Sequence, residues 1–186
     1  PHLREEFATV LKRFDGGSLT ASLTNPITHE PQSVSITRGN FVERIRLMLY
    51  TTETARFLPW IIHSAYRNDF LPFEAISMRY NTGGILARGM YLSVTCSESI
   101  PFITEKDIRK ETRDTFVGDY RVRAHLDACK EWPKGDIPRS YIDPVASSVP
   151  VLMVSGDLDA SVTPALAADA LAHLPRGRQV KIRYYG

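Results

Sequence analysis

The 186 residues are 43% apolar and 24% charged, which is the make-up of one ordinary folded domain, so disorder is not the default. The formal charge is +2 with acids and bases interspersed, so there is no basic stripe for a phosphate backbone, and no nucleic acid partner is expected. No apolar run nears the roughly 18 residues that span a bilayer, so no membrane partner is expected either.

The opening PHLREEF lacks the charged-then-apolar order of a signal peptide, and the chain starts at Pro1 rather than Met. It reads as a processed or truncated product, and localisation stays open between secreted and cytoplasmic. Leu3, Phe7, Val10, Leu11 and Phe14 recur at helical spacing, with Gly16-Gly17 where a helix would stop. Ser18 to Ser35 is rich in Ser, Thr, Asn and Pro and reads as a long irregular connection. Asn40 is placed to cap a second helix carrying Phe41, Ile45, Met48 and Leu49, and Pro59 to open a third carrying Ile61, Ile62, Ala65 and Tyr66. These make a helical layer.

GMYLSVTC, Gly89 to Cys96, is apolar and β-prone, which predicts a short strand or an extended segment ending in Ser97-Glu98-Ser99. Helices follow over Thr104 to Phe116, highly charged, and Asp119 to Trp132, stopped by Pro133. Pro138, Pro144 and Pro150 mark a connecting loop. VLMVS, Val151 to Ser155, suits a strand buried on both faces, a helix runs from Thr163 or Pro164 to Leu174, and QVKIRYY, Gln179 to Tyr185, alternates as a second strand. This β-α-β order is a parallel crossover, so the fold class is α/β.

Cys96 and Cys129 are the two cysteines, with no His or carboxylate at zinc-ligand spacing beside them. They are read as buried free thiols or as one disulfide; the sequence leaves both open.

The acidic turn in VLMVSGDLDASVTP carries the chemistry. Functional groups in α/β sheets gather at the carboxyl ends of strands, where Asp157 and Asp159 fall. A calcium loop is excluded, because Val162 and Asp169 stand where it needs Gly and Glu. A phosphotransferase of the haloacid dehalogenase type needs far more chain after its Asp-x-Asp than follows here. The remaining reading is the acid of a Ser-His-Asp triad, in which a carboxylate orients the imidazole that takes the serine proton.

VPVLMVSGDLDASVTP, the ALAADALAHLP helix and RQVKIRYYG resemble the carboxyl-terminal part of the α/β-hydrolase family of tripeptidyl and prolyl aminopeptidases, and GMYLSVTCSESIPF and ACKEWP resemble its cap and pre-core region. The likeness runs from about Gly89 to Gly186. It implies a partial α/β-hydrolase fold: residues 1–147 a mostly helical cap or lid, residues 148–186 the last strand-helix-strand of the core. It also implies that Asp159 is the triad acid and that the catalytic His directly follows the Gly matching Gly186. No Gly-x-Ser-x-Gly elbow occurs, and His2, His29, His63, His125 and His173 do not stand where that His belongs. The nucleophile and base are therefore expected on the rest of the hydrolase core, with this chain inactive alone.

Glu98 stands where the family places a cap carboxylate that pairs with the free amino terminus of a peptide; the alternative is a surface Glu capping the next helix. Asp157 is read as a turn former. Tyr91, Trp132 and Phe57 to Trp60 are pocket-lining candidates for which plain packing is the commoner role, and Arg109, Lys110 and Arg113 read as a solvated helix face. The implied function is a serine exopeptidase acting on peptide amino termini, with no metal or organic cofactor. The alternatives are an esterase or other small-molecule hydrolase on the same scaffold, and a non-catalytic binding module.

Overall fold

A computed structural model describes residues 2–25, 28–82 and 87–186. Helix α1 (Leu3–Arg13) has Glu5 and Glu6 in its first turn and Lys12 and Arg13 in its last, the arrangement that the helix dipole favours. A short 3-10 turn (Phe14–Gly16) and Gly17 at φ 113° end it.

Where an irregular connection is expected, the chain instead forms an antiparallel hairpin, β1 (Leu19–Thr24) and β2 (Pro31–Ile36). The register pairs Leu19 with Ile36 and Ala21 with Val34, and Ala21 and Ile36 are buried in the core. Alternation of small apolar residues along both arms decides the structure here; Ser and Thr between them are simply the outward positions of a half-buried sheet.

The cap of helix α2 (Arg38–Met48) lies three residues before the expected one: Thr37 is the N-cap, and its side chain accepts a hydrogen bond from the Asn40 amide. Thr caps as well as turns, and Asn40 falls in the first turn instead. Helices α3 (Thr52–Ala55) and α5 (Leu71–Thr82) add to those the periodicity predicts, around α4 (Leu58–Tyr66), which has Pro59 in its first turn as expected. The core of this half closes on Phe41, whose ring lies 4.8 Å from Phe73 and 5.4 Å from Phe14 between ring centres. Burying one such side chain is worth about 1.5–3 kcal/mol.

Gly89 to Cys96 is not extended. Helix α6 (Arg88–Val94) continues into a π-helical turn (Thr95–Ser99) and a 3-10 turn (Ile100–Phe102). Tertiary contacts override β propensity: Cys96 is fully buried and bonded to Cys129, while Ser93 receives the Trp132 indole N–H at 3.2 Å. The pair is thus one disulfide, with 5.2 Å between the Cα atoms.

Helix α7 (Glu105–Thr112) carries a Thr104/Asp107 capping box and stops short of Phe116. Asp114 takes φ 61° in the turn that follows, and Phe116 turns back to pack edge-on against Phe7, 5.6 Å away. Helix α8 (Tyr120–Glu131) matches its expected span. It crosses close to the start of α2, where a Cβ on Gly39 would sit 2.0 Å from the Tyr120 ring.

The chain ends in the expected parallel pair, β3 (Val151–Gly156) and β4 (Gly177–Ile182), joined by α9 (Pro164–Leu171). Helix α9 covers one face of the pair, where the Gln179 side chain donates to Ser155 Oγ and the Pro164 carbonyl. The opposite face is open, with Leu152 65% and Val154 60% exposed. The expectation that β3 is buried on both faces is therefore corrected: among the described residues only one layer packs on it. Strand β4 also begins earlier and ends sooner than expected, because Tyr184 turns to φ 59° and binds the acidic turn.

Candidate active site: the acid turn and the cleft beside it

The turn after β3 is built from backbone bonds. The Asp157 amide donates to the Ile182 carbonyl and the Leu158 amide to the Tyr185 carbonyl, tying the chain after β4 across the turn. Asp157 itself accepts the Tyr184 amide at 2.7 Å, so it holds this segment in place, consistent with its reading as a turn former. Gly156 is required by the close approach: a Cβ there would lie 2.2 Å from the Tyr185 carbonyl oxygen. Gly186 reaches the same spot, its Cβ position falling 3.3 Å from the Asp159 amide nitrogen.

Asp159 is half-buried, and one carboxylate oxygen, Oδ1, accepts the amides of Ser161 and Val162, both at 2.8 Å. Those amides, Val162 first, hold its carboxyl below the usual carboxylate range, so it is ionised at neutral pH. Its Oδ2 has no hydrogen-bond partner among the described residues, which leaves an acceptor for an imidazole N–H. No described histidine takes that place: His125 bonds to Tyr91, His63 to Glu6 and His2 to Glu5, while His173 is exposed beyond α9.

Next to the turn lies a cleft of about 700 Å³, with Ala160 on its border. Its polar floor comes from α2, α6 and α8. The Glu43 carboxylate is held by two guanidiniums: Arg46 through Nε and Nη2 at 2.9 and 2.7 Å, and Arg121 through Nη1 at 2.6 Å. Arg121 Nη2 also donates to the Tyr91 hydroxyl at 2.7 Å, and His125 Nε2 lies 2.9 Å from the same oxygen. Burial pushes the Glu43 carboxyl up, but Arg46 and Arg121 outweigh it and keep it below its ordinary value. Burial, with the Arg121 charge behind it, pushes the His125 imidazole down and keeps it neutral at pH 7.

Tyr91 thus lines the cleft, as its candidacy allowed. Trp132 does not: it stacks beside Gly89 and bonds to Ser93. Phe57 and Trp60 are exposed, so packing, the commoner role, holds for Leu58 of that segment and not for its aromatics. Arg109, Lys110 and Arg113 lie on the solvated side as expected. Glu98 sits in the π turn and accepts a hydrogen bond from the Tyr141 hydroxyl, while its neighbours Thr95 and Ser99 line the cleft. Asp159 and Glu98 bond to different partners and are not joined by a hydrogen bond. Glu43, Arg46 and Arg121 escaped the sequence reading, and His125 was weighed only as a triad base; the available signals were the i,i+3 spacing of Glu43 and Arg46 and the i,i+4 spacing of Arg121 and His125.

Residues 114–186 match the family model described as TAP-like protein, an α/β-hydrolase family. The match covers less than half of the chain, and that stretch is similar to a TAP-like carboxyl-terminal region. No curated protein and no solved structure matches the chain. The matched stretch contains Asp157, Asp159 and the parallel strand pair, and also Arg121, His125 and Cys129 of α8. Tyr91, Cys96 and Glu98 lie upstream of it and join it through the disulfide and the cleft.

Proposed function

We propose that the chain supplies the acid and the lid of a serine hydrolase that removes residues from peptide amino termini. The observation that carries this reading is the geometry of Asp159: an ionised carboxylate at the carboxyl end of a parallel strand, one oxygen pinned by two amides and the other free. Such a group holds an imidazole in the tautomer that accepts the serine proton and stabilises the imidazolium that forms. The segment through Gly186 packs on the same turn, so a histidine following it would begin beside Asp159.

In this reading residues 1–147 are the lid, and residues 148–186 belong to the core that carries the serine, the histidine and the oxyanion donors. The serine attacks the scissile carbonyl, the histidine passes its proton to the leaving amine, and water repeats the sequence on the acyl-enzyme. Glu98, oriented by Tyr141, takes the free amino group of the substrate. No metal or organic cofactor enters these steps.

The test uses the full-length protein with its serine elbow and histidine. Asp159→Asn lowers kcat by about 10⁴, because the histidine is left in the wrong tautomer, while Asp157→Asn keeps an acceptor for the Tyr184 amide and leaves kcat within about 3-fold. Equal losses in the two variants would sink the assignment. Aminoacyl amides turned over faster than simple esters support the peptidase; the reverse order supports an esterase.

A further inference from the structure

Two arginines of the cleft share one carboxylate. Arg46 and Arg121 converge on Oε1 of Glu43, and the histidine beside them is neutral, so this cluster carries one uncompensated positive charge. Arg121 is only 35% exposed at its side chain and Arg46 18%, which weakens solvent screening and makes the excess charge costly to leave unanswered. A guanidinium has five N–H donors, so Arg121 keeps some after bonding Glu43 and Tyr91. Above this floor the walls are mainly apolar, from Leu49, Ile100, Ile103, Phe116 and Val122, with Thr95, Ser99, Thr112 and Thr115 between them.

We propose that the cleft binds a small organic molecule with an apolar body and a single carboxylate, the carboxylate seated on Arg121. A monoanion neutralises the cluster, whereas a phosphate dianion would reverse its sign and bring a larger hydration shell into mainly apolar walls. Planar carboxylate geometry also matches the guanidinium fork. The site stands on cleft shape and charge, and binding is read directly, without any hydrolytic step.

The probe is N-acetylphenylalanine, set against its neutral amide, titrated calorimetrically into the protein. The acid is expected to bind at least ~10-fold more tightly than the amide, and Arg121→Gln to bring the two within ~2-fold. Glu43→Gln releases both guanidiniums and raises the cluster from one excess charge to two, so it is expected to strengthen acid binding ~3-fold or more while leaving the amide unchanged. A merely structural network would respond to both substitutions with weaker binding. The proposal is overturned by equal affinities for acid and amide, by no binding of either, by a preference that survives Arg121→Gln, or by weaker acid binding in a Glu43→Gln protein whose far-ultraviolet circular dichroism is native.

Discussion

Glu43 shows how one side chain can govern both stability and the cleft. Its folded carboxyl lies below the ordinary 4.5 because Arg46 and Arg121 outweigh the cost of its burial. Between those two values the folded protein binds fewer protons than the unfolded one, so the stabilisation is complete above about pH 4.5 and is lost as pH falls through the folded value. Urea midpoints followed from about pH 6 to pH 3 are expected to fall for the native sequence and to fall less steeply for Glu43→Gln. Parallel curves would show that another carboxylate carries the effect. Glu98 is tested at the same scale. Under the proposed reading Glu98→Gln raises KM for substrates with a free amino terminus by about 10-fold, with kcat and the KM of amino-blocked substrates little changed. An equal rise for blocked substrates would assign Glu98 to positioning Tyr141 alone.

Among the elements, α6 and its π turn are held by contacts distant in sequence. The Cys96–Cys129 bond closes a loop of 33 residues and ties the turn bearing Glu98 to α8, which bears Arg121 and His125. A loop of that length is worth about 3–4 kcal/mol through restriction of the unfolded chain. Reduction is therefore expected to lower the unfolding midpoint, and Cys96→Ala with Cys129→Ala to lower it similarly, without a further shift on reduction. The same contacts explain why Gly89–Cys96 misleads as a sequence: Val94, Thr95 and Tyr91 favour strands locally, yet the helix buries Cys96 and brings Ser93 to the Trp132 indole. The hairpin of β1 and β2 is the opposite case, with its alternation legible but its polar composition pointing to a loop.

For the molecule as a whole, the unequal faces of the β3–β4 pair matter most. Helix α9 covers one face, while Leu152, Val154, Val180 and Ile182 stand open on the other. Parallel sheets are stable with layers on both faces, and a contiguous apolar patch marks a surface meant to be covered. The 186-residue chain is expected to bind an apolar dye there, and Val154→Lys with Val180→Lys to reduce that fluorescence by roughly half. Dye binding unaffected by both substitutions would locate the exposed apolar surface elsewhere.

What the residues alone determined is local: the parallel crossover, the acid at the end of its first strand, the run of helices before it and the TAP-like likeness all follow from period, turn chemistry and motif. Short-range spacing suffices for these, because each depends on neighbours along the chain. Only the tertiary structure decided that the two thiols are bonded, that Gly89–Ser99 is helical, and that β3 is open on one side. It alone gathered Arg46, Tyr91, Arg121 and His125 around one cleft bordered by Ala160, with Glu43 bonded to both arginines. Those charges sit up to 78 positions apart, and their pairing is settled by the packing of α2 against α8, which no local pattern encodes.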